Sequence, residues 1–282
     1  EQRGGASLPL MTPFFETEGE RASLQSLTWG RKSDWIPTFC GTAGSLAVEG
    51  MLLAPVGERG FLYQLTVRST SDKPLSSTFG LEGCWASAWH CVNEDKEIDG
   101  ARRCYTSLWN DSLIFDMRCG LPLFAFAPMM DQPCSSTFQE TDAGIVYRLA
   151  HACTLEPGEA VTVTFYWGVG FEEVAAATSA KEMLRQGWQH ELQVTTDWLD
   201  ARRWPIPDAQ LERLYNTNLF FCLFYSAGIT LDTEELVLVT SRSPRYYVSA
   251  AYWDRDSLLW SFPTVVDADP ALARRMLDYV FG

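Results

Sequence analysis

Alternation of apolar and polar side chains, sustained to about residue 170 and then abandoned, limits what this chain can fold into more than any other feature. Phe61, Tyr63, Leu65 and Val67 face one way while Leu62, Gln64, Thr66 and Arg68 face the other, the two-residue period of a strand with one strongly apolar face. Val161, Val163, Phe165 and Trp167 repeat the pattern against Thr162 and Thr164, after the turn residues Glu156-Pro157-Gly158-Glu159. Further apolar runs at 46–53, 113–117, 121–126 and 145–149, with turns at Ser71-Asp72-Lys73-Pro74 and Asn110-Asp111, extend the series. An antiparallel β-sandwich is the economical fold for residues 1–170.

Near Phe171 the texture changes. Glu172-Glu173 opens a stretch rich in Ala, Lys, Glu, Gln and Arg, all good helix formers. Leu184, Trp188, Leu192, Thr195 and Leu199 recur at steps of three and four, one face of an amphipathic helix interrupted by Gly187. This stretch, 171–207, reads as a helical linker, stopped by Trp204-Pro205-Ile206-Pro207. Asp208 is placed to cap a helix from Ala209 to about Tyr225. The second half of that helix (Leu219, Phe220, Phe221, Leu223, Phe224) is apolar nearly all round and is expected to be surrounded by protein. A loop at 228–251 and a short helical run at 254–262 follow, then a helix capped by Asp269 with Pro270 at its first position. Such helices over 208–282 do not close a helical domain, so the native polypeptide is expected to continue.

Composition narrows the function. With 282 residues, 46% hydrophobic and 21% charged, the chain has enough apolar material for a real core. A net charge of −14 argues against nucleic acid, whose binding rests on Lys and Arg neutralising phosphates, and suits a neutral substrate. The uncharged stretch 214–231 is interrupted by Asn216, Asn218, Ser226 and Gly228 and reads as a buried helix rather than a membrane span. Eight cysteines without a C-x-x-C pair, and no visible secretory leader, lead to the expectation of a cytoplasmic protein with free thiols. His90, His151 and His190 are too few and too separated for a metal site, and no metal or other cofactor is expected. Gly168-Val169-Gly170 lies between strand and helix as in a dinucleotide fingerprint. Glu173 takes the third glycine position beside Glu172, and two carboxylates there would repel a pyrophosphate, so a sharp turn out of the sandwich is expected instead. Trp85 and Trp89 read as core, with a sugar groove as the alternative.

The densest polar and aromatic stretch runs from 240 to 257. Sugar recognition needs flat aromatic faces for C–H surfaces, with Arg and carboxylate groups for vicinal hydroxyls. Arg242, Tyr247, Trp253, Asp254, Arg255 and Asp256 supply all three types and are the candidate substrate-binding residues. The competing reading makes Asp254 or Asp256 a helix cap, Arg255 its ion-pair partner and the aromatics core.

Tyr252-Trp253-Asp254-Arg255-Asp256-Ser257 resembles the aromatic-Trp-x-Arg-Asp-Ser/Thr signature of glucoamylases, glycogen-debranching α-glucosidases and other six-hairpin glycosidases. The order sandwich, linker, helices likewise resembles bacterial glucoamylases and related disaccharide phosphorylases. The resemblance implies that residues 208–282 begin an (α/α)6 toroid, incomplete in this chain. It also implies that Arg255 and Asp256 bind hydroxyls of the sugar in the −1 subsite, while Asp254 holds the variable position and inherits no role. An inverting, exo-acting glycoside hydrolase on α-glucosidic oligosaccharides is the leading expectation. An inverting phosphorylase and a noncatalytic carbohydrate-binding module are the alternatives. Inversion needs two carboxylates ~6.5–9.5 Å apart. In the families resembled both come from later toroid loops, so the catalytic pair is not assigned, with Asp256 the one local candidate for an acid. The expected partners are an oligosaccharide or polysaccharide and the remainder of the same polypeptide.

Overall fold

The computed structural model describes residues 2–3, 9–90, 96–97, 101–118, 124–229, 235–239 and 256–281. Sixteen strands come first. They are β1 (Gln2–Arg3), β2 (Thr12–Thr17), β3 (Glu20–Ala22), β4 (Leu24–Lys32), β5 (Ile36–Ala43), β6 (Leu46–Leu53), β7 (Gly60–Ser69) and β8 (Leu75–Trp85). After them come β9 (Ser87–His90), β10 (Lys96–Glu97), β11 (Ala101–Thr106), β12 (Leu113–Arg118), β13 (Phe124–Met130), β14 (Ser135–Thr141), β15 (Gly144–Leu155) and β16 (Ala160–Gly170). Helices α1 (Glu173–Gln186), α2 (Trp188–Asp200) and α3 (Ala209–Tyr225) follow, then a ribbon of β17 (Ala227–Ile229) and β18 (Leu236–Leu238). A π-helical turn (Ser257–Ser261), α4 (Phe262–Ala268) and α5 (Pro270–Phe281) complete the described chain.

Two antiparallel sheets form the sandwich. The larger has eight strands in the order β11-β12-β13-β16-β7-β6-β5-β4, and the smaller has five in the order β14-β15-β8-β2-β3. Their inner faces share one core, in which Tyr63, Leu65 and Val67 of β7 and Val163, Phe165 and Trp167 of β16 meet Phe79, Leu81, Tyr147 and Leu149. The alternation read from the sequence marks the inner face, but the other face is covered as well: Leu62, Thr164 and Tyr166 are also buried. Phe61 stacks on Trp167 at 5.8 Å, and Trp85 packs edge-on to Phe115 and Phe126 inside this core. The apolar run at 121–126 is shifted: the strand is Phe124–Met130, and residues 119–123 lie outside the described residues.

Helices make a third layer on the outer face of the eight-stranded sheet. Ala176, Ala177 and Ala180 of α1 sit on Ala125 and Ala127 of β13, small groups against small groups. Gly168 and Gly170 are part of this seat rather than a turn. A Cβ on Gly168 would run into the Ala176 carbonyl oxygen, and one on Gly170 into the Ala176 amide, so glycine here lets the helix backbone lie directly on β16. The chain turns at Phe171 and Glu172, one step later than the sequence suggested.

The linker face is shared by two helices, because Gly187 adopts φ +85° and ends α1 as it opens α2. Leu184, Trp188, Leu192 and Leu199 still reach one cluster, which also takes Leu62 and Tyr166 from the sheet and Leu219, Phe220 and Leu223 from α3. Asp208 caps α3 as expected, its carboxylate accepting from the amides of Gln210 and Leu211 at 2.9 Å. α3 is less enclosed than its composition suggested, since Phe221 is 49% exposed. Asp269 caps α5 through the Leu272 amide at 2.9 Å and is paired with Arg202 at the end of the linker. Burial alone would raise the Asp269 pKa; the Leu272 amide, Arg202 and the Ala271 amide together hold it below the ordinary value.

Candidate functional site

Described residues lie on either side of the candidate stretch. Upstream, where the sequence predicts a loop, the β17–β18 ribbon closes as the Val239 amide donates to the Ser226 carbonyl at 2.9 Å. Leu238 and Val239 are buried, so the chain leaves the helical layer from a fixed apolar anchor. Downstream, Asp256 has helical backbone angles (φ −73°, ψ −39°) and is half-buried, and Ser257 behind it is fully buried. Arg242, Tyr247, Trp253, Asp254 and Arg255 lie outside the described residues, as does Tyr252. Asp256 is thus the one candidate whose position is described.

The helical run expected over 254–262 has a different form. Ser257–Ser261 is a π-helical turn in which the Phe262 amide bonds back five residues to the Ser257 carbonyl, and α4 then carries the helix on to Ala268. A π turn holds one more residue per turn than an α-helix, and such insertions concentrate at functional sites. Here it leaves Leu258 against the apolar cluster and Leu259 and Trp260 exposed, immediately after Asp256. The turn is braced from two sides. Val265, Ala273 and Met276 are buried in the same cluster as α3, and the Arg202–Asp269 pair ties the start of α5 to the linker. Asp256, half-buried, immediately precedes this supported turn.

Two buried acids among the described residues lie outside the candidate set: Asp116, paired with Arg103 and Arg118, and Glu191. Glu191 on α2 is 2% exposed, and its Oε1 has no hydrogen-bond partner among the described residues. Burial raises its pKa, nearby Glu58 adds to the rise, and His190 partly offsets it. Its spacing of three from Trp188 and four to Thr195 puts it on the buried face of the helix, a signal present in the sequence.

His151 is a structural histidine, its Nδ1 2.8 Å from the Pro133 carbonyl and its ring edge-on to Phe79. No group of three His, Cys, Asp or Glu converges on a metal position among the described residues. Burial pushes the thiols of Cys104 and Cys134 up to about 12, while Cys40 is exposed. No helix among the described residues is long and apolar enough to cross a membrane.

The geometry defines an antiparallel β-sandwich with a helical layer on one sheet and a partial helical region beyond it. No family model and no curated protein matches the sequence. Among solved structures the chain is similar to a protein provisionally assigned as a kojibiose phosphorylase from the human microbiome, at TM-score 0.63 and 10% identity over 94% of this chain. It is also similar to a bacterial glucoamylase solved with acarbose, at TM-score 0.52 and 10% identity over 96% of this chain. At that identity the likeness is one of fold. The chain spans 37% and 44% of the length of those two chains.

Proposed function

We propose that this chain supplies the sandwich and one rim of the sugar site of an enzyme acting on α-glucosidic oligosaccharides. The observation that carries the reading is a conjunction. The Tyr252–Ser257 signature, which resembles that of glucoamylases, leads through Asp256 directly into a supported π turn, in a chain whose fold is like those of a phosphorylase and a glucoamylase. In this reading Arg255 and Asp256 bind hydroxyls of the −1 sugar, with Trp253, Tyr247 and Arg242 around it. The (α/α)6 toroid begins within 208–282, and further helices of the same polypeptide bring the acid and the base. The exposed Leu211, Leu214, Leu259, Trp260 and Phe281 are the surface that those helices would cover.

Hydrolysis is the leading chemistry. Phosphorolysis is the second reading, favoured by the higher TM-score of the phosphorylase. The two differ only in whether water or phosphate attacks, so phosphate dependence of turnover by the complete polypeptide separates them.

The binding role is tested by titrating this chain and its Asp256→Ala form calorimetrically with glucose, maltose, isomaltose and kojibiose. Binding is expected to weaken at least about tenfold in the variant, the cost of one charge-assisted hydrogen bond. Equal affinity in both proteins, with the fold of both verified by circular dichroism, would overturn the assignment of Asp256.

A further inference from the structure

The helical layer covers only part of the outer face of the eight-stranded sheet. Leu53 of β6 and Leu62 of β7 lie under the helices, Met51 sits at their edge, and Glu49, one pleat further along β6, is exposed. Beyond that edge the face carries a groove of about 330 Å³ across β4, β5, β6 and β7.

Strand register explains its chemistry. Thr28, Cys40, Glu49 and Thr66 lie opposite one another on four successive strands and form one wall. Thr38, Met51 and Gln64 form the parallel wall two residues along. The row between them points its side chains inward, so the floor between the walls is backbone. Gln64 is held from behind by a bond from its Nε2 to Thr164 Oγ1 at 3.2 Å, which leaves its carbonyl oxygen as an acceptor. Thr66 is held in the same way by Thr162 at 2.8 Å. At the edge-strand end Trp29 belongs to that inward row, and its ring packs on Phe39 of the core with centroids 5.3 Å apart.

This lining has hydroxyls that both donate and accept, an amide, a carboxylate and apolar surface. No Lys or Arg lines it, and Glu49 has no ion-pair partner among the described residues. A phosphate or an acidic peptide would meet an unneutralised carboxylate, whereas a neutral polyol finds matched donors and acceptors. Four strands span on the order of 14 Å, room for a chain of a few pyranose rings rather than a single one.

We propose that this groove is a second carbohydrate-binding site, taking a short neutral oligosaccharide laid across β4–β7 and separate from the site at Asp256. The proposal rests on the reading of the chain as part of a carbohydrate-active protein, and its test is independent of Asp256. Cys40, an exposed thiol in the groove wall, is the reporter. Alkylation of Cys40 by iodoacetamide, followed by mass spectrometry, is measured with and without maltotriose, isomaltotriose or cellotriose, in the unmodified chain and in the Glu49→Ala, Gln64→Ala and Asp256→Ala variants.

At least one trisaccharide is expected to slow alkylation. Its half-protection concentration should rise about tenfold in Glu49→Ala and severalfold in Gln64→Ala, and stay unchanged in Asp256→Ala. Protection by none of the three sugars, protection undiminished in Glu49→Ala, or protection lost in Asp256→Ala would each overturn the proposal. If Asp256→Ala instead binds the sugars of the calorimetric test normally while Cys40 protection persists, the assignment of Asp256 falls and the groove stands. Glu49 is exposed, so its replacement leaves the core intact, and circular dichroism checks each variant.

Discussion

Among the described residues, Glu191 sits in surroundings that disfavour its charged form. A carboxylate held in the cluster of α2 without a partner for Oε1 favours its protonated form, so its folded pKa lies above the unfolded value. The folded state then binds more protons than the unfolded one across that interval, and stability falls as pH rises through it. Glu191→Gln, neutral at every pH, is expected to stabilise the chain at pH 7 by roughly 1 kcal/mol. The gain should vanish below about pH 4, where the acid is protonated in both states. Thermal melts of both proteins at the two pH values check this, and a variant less stable at pH 7 would show that an ionised Glu191 is needed where it sits. Asp269 has the opposite sign, because Arg202 and two helix amides favour its charged form and its contribution is lost as pH falls.

Elements here are positioned by close approach as much as by apolar area. α1 lies on β13 and β16 mainly through alanines and glycines, with Met129 and Leu184 at the same seat, and Gly168 is its tightest point because helix backbone occupies the place of its Cβ. Gly168→Ala is expected to cost about 3 kcal/mol, the upper range for overpacking, whereas Gly158→Ala, with open space around it, pays only for its positive φ. Urea unfolding measures both, and equal costs would mean that α1 is free to move off the sheet. Sequence showed that strands give way to helices at this point and named Asp208 and Asp269 as caps, because capping is a contact between near neighbours in the chain. It also gave the linker face, but not its division into two helices at the left-handed Gly187. The ribbon Ala227–Ile229 with Leu236–Leu238 was read as loop, since strands of three residues carry too little alternation to register.

At the scale of the molecule, several large apolar side chains of the described helical region are exposed. Leu259 and Trp260 are 64% and 73% exposed beside the π turn, with Phe281 at 72% nearby in sequence on α5, a density of apolar surface that soluble monomers seldom show. The double variant Leu259→Ser, Trp260→Ser is expected to reduce self-association of the chain in sedimentation velocity with no change in circular dichroism. Association unchanged by it would place the sticky surface elsewhere. At this scale the division between sequence and structure is sharp. Sequence alone determined that a sandwich precedes helices, which strand faces are apolar and where the helices after Asp208 and Asp269 begin, and it marked 240–257 as the candidate for sugar-type chemistry, because each of these is written in residues close together along the chain. The order of eight strands in the larger sheet, the seat of α1 on glycine and the row that sets Cys40 beside Glu49 were decided only by tertiary structure. They join residues far apart in sequence, and strand order and register follow from how whole faces pack rather than from any local pattern.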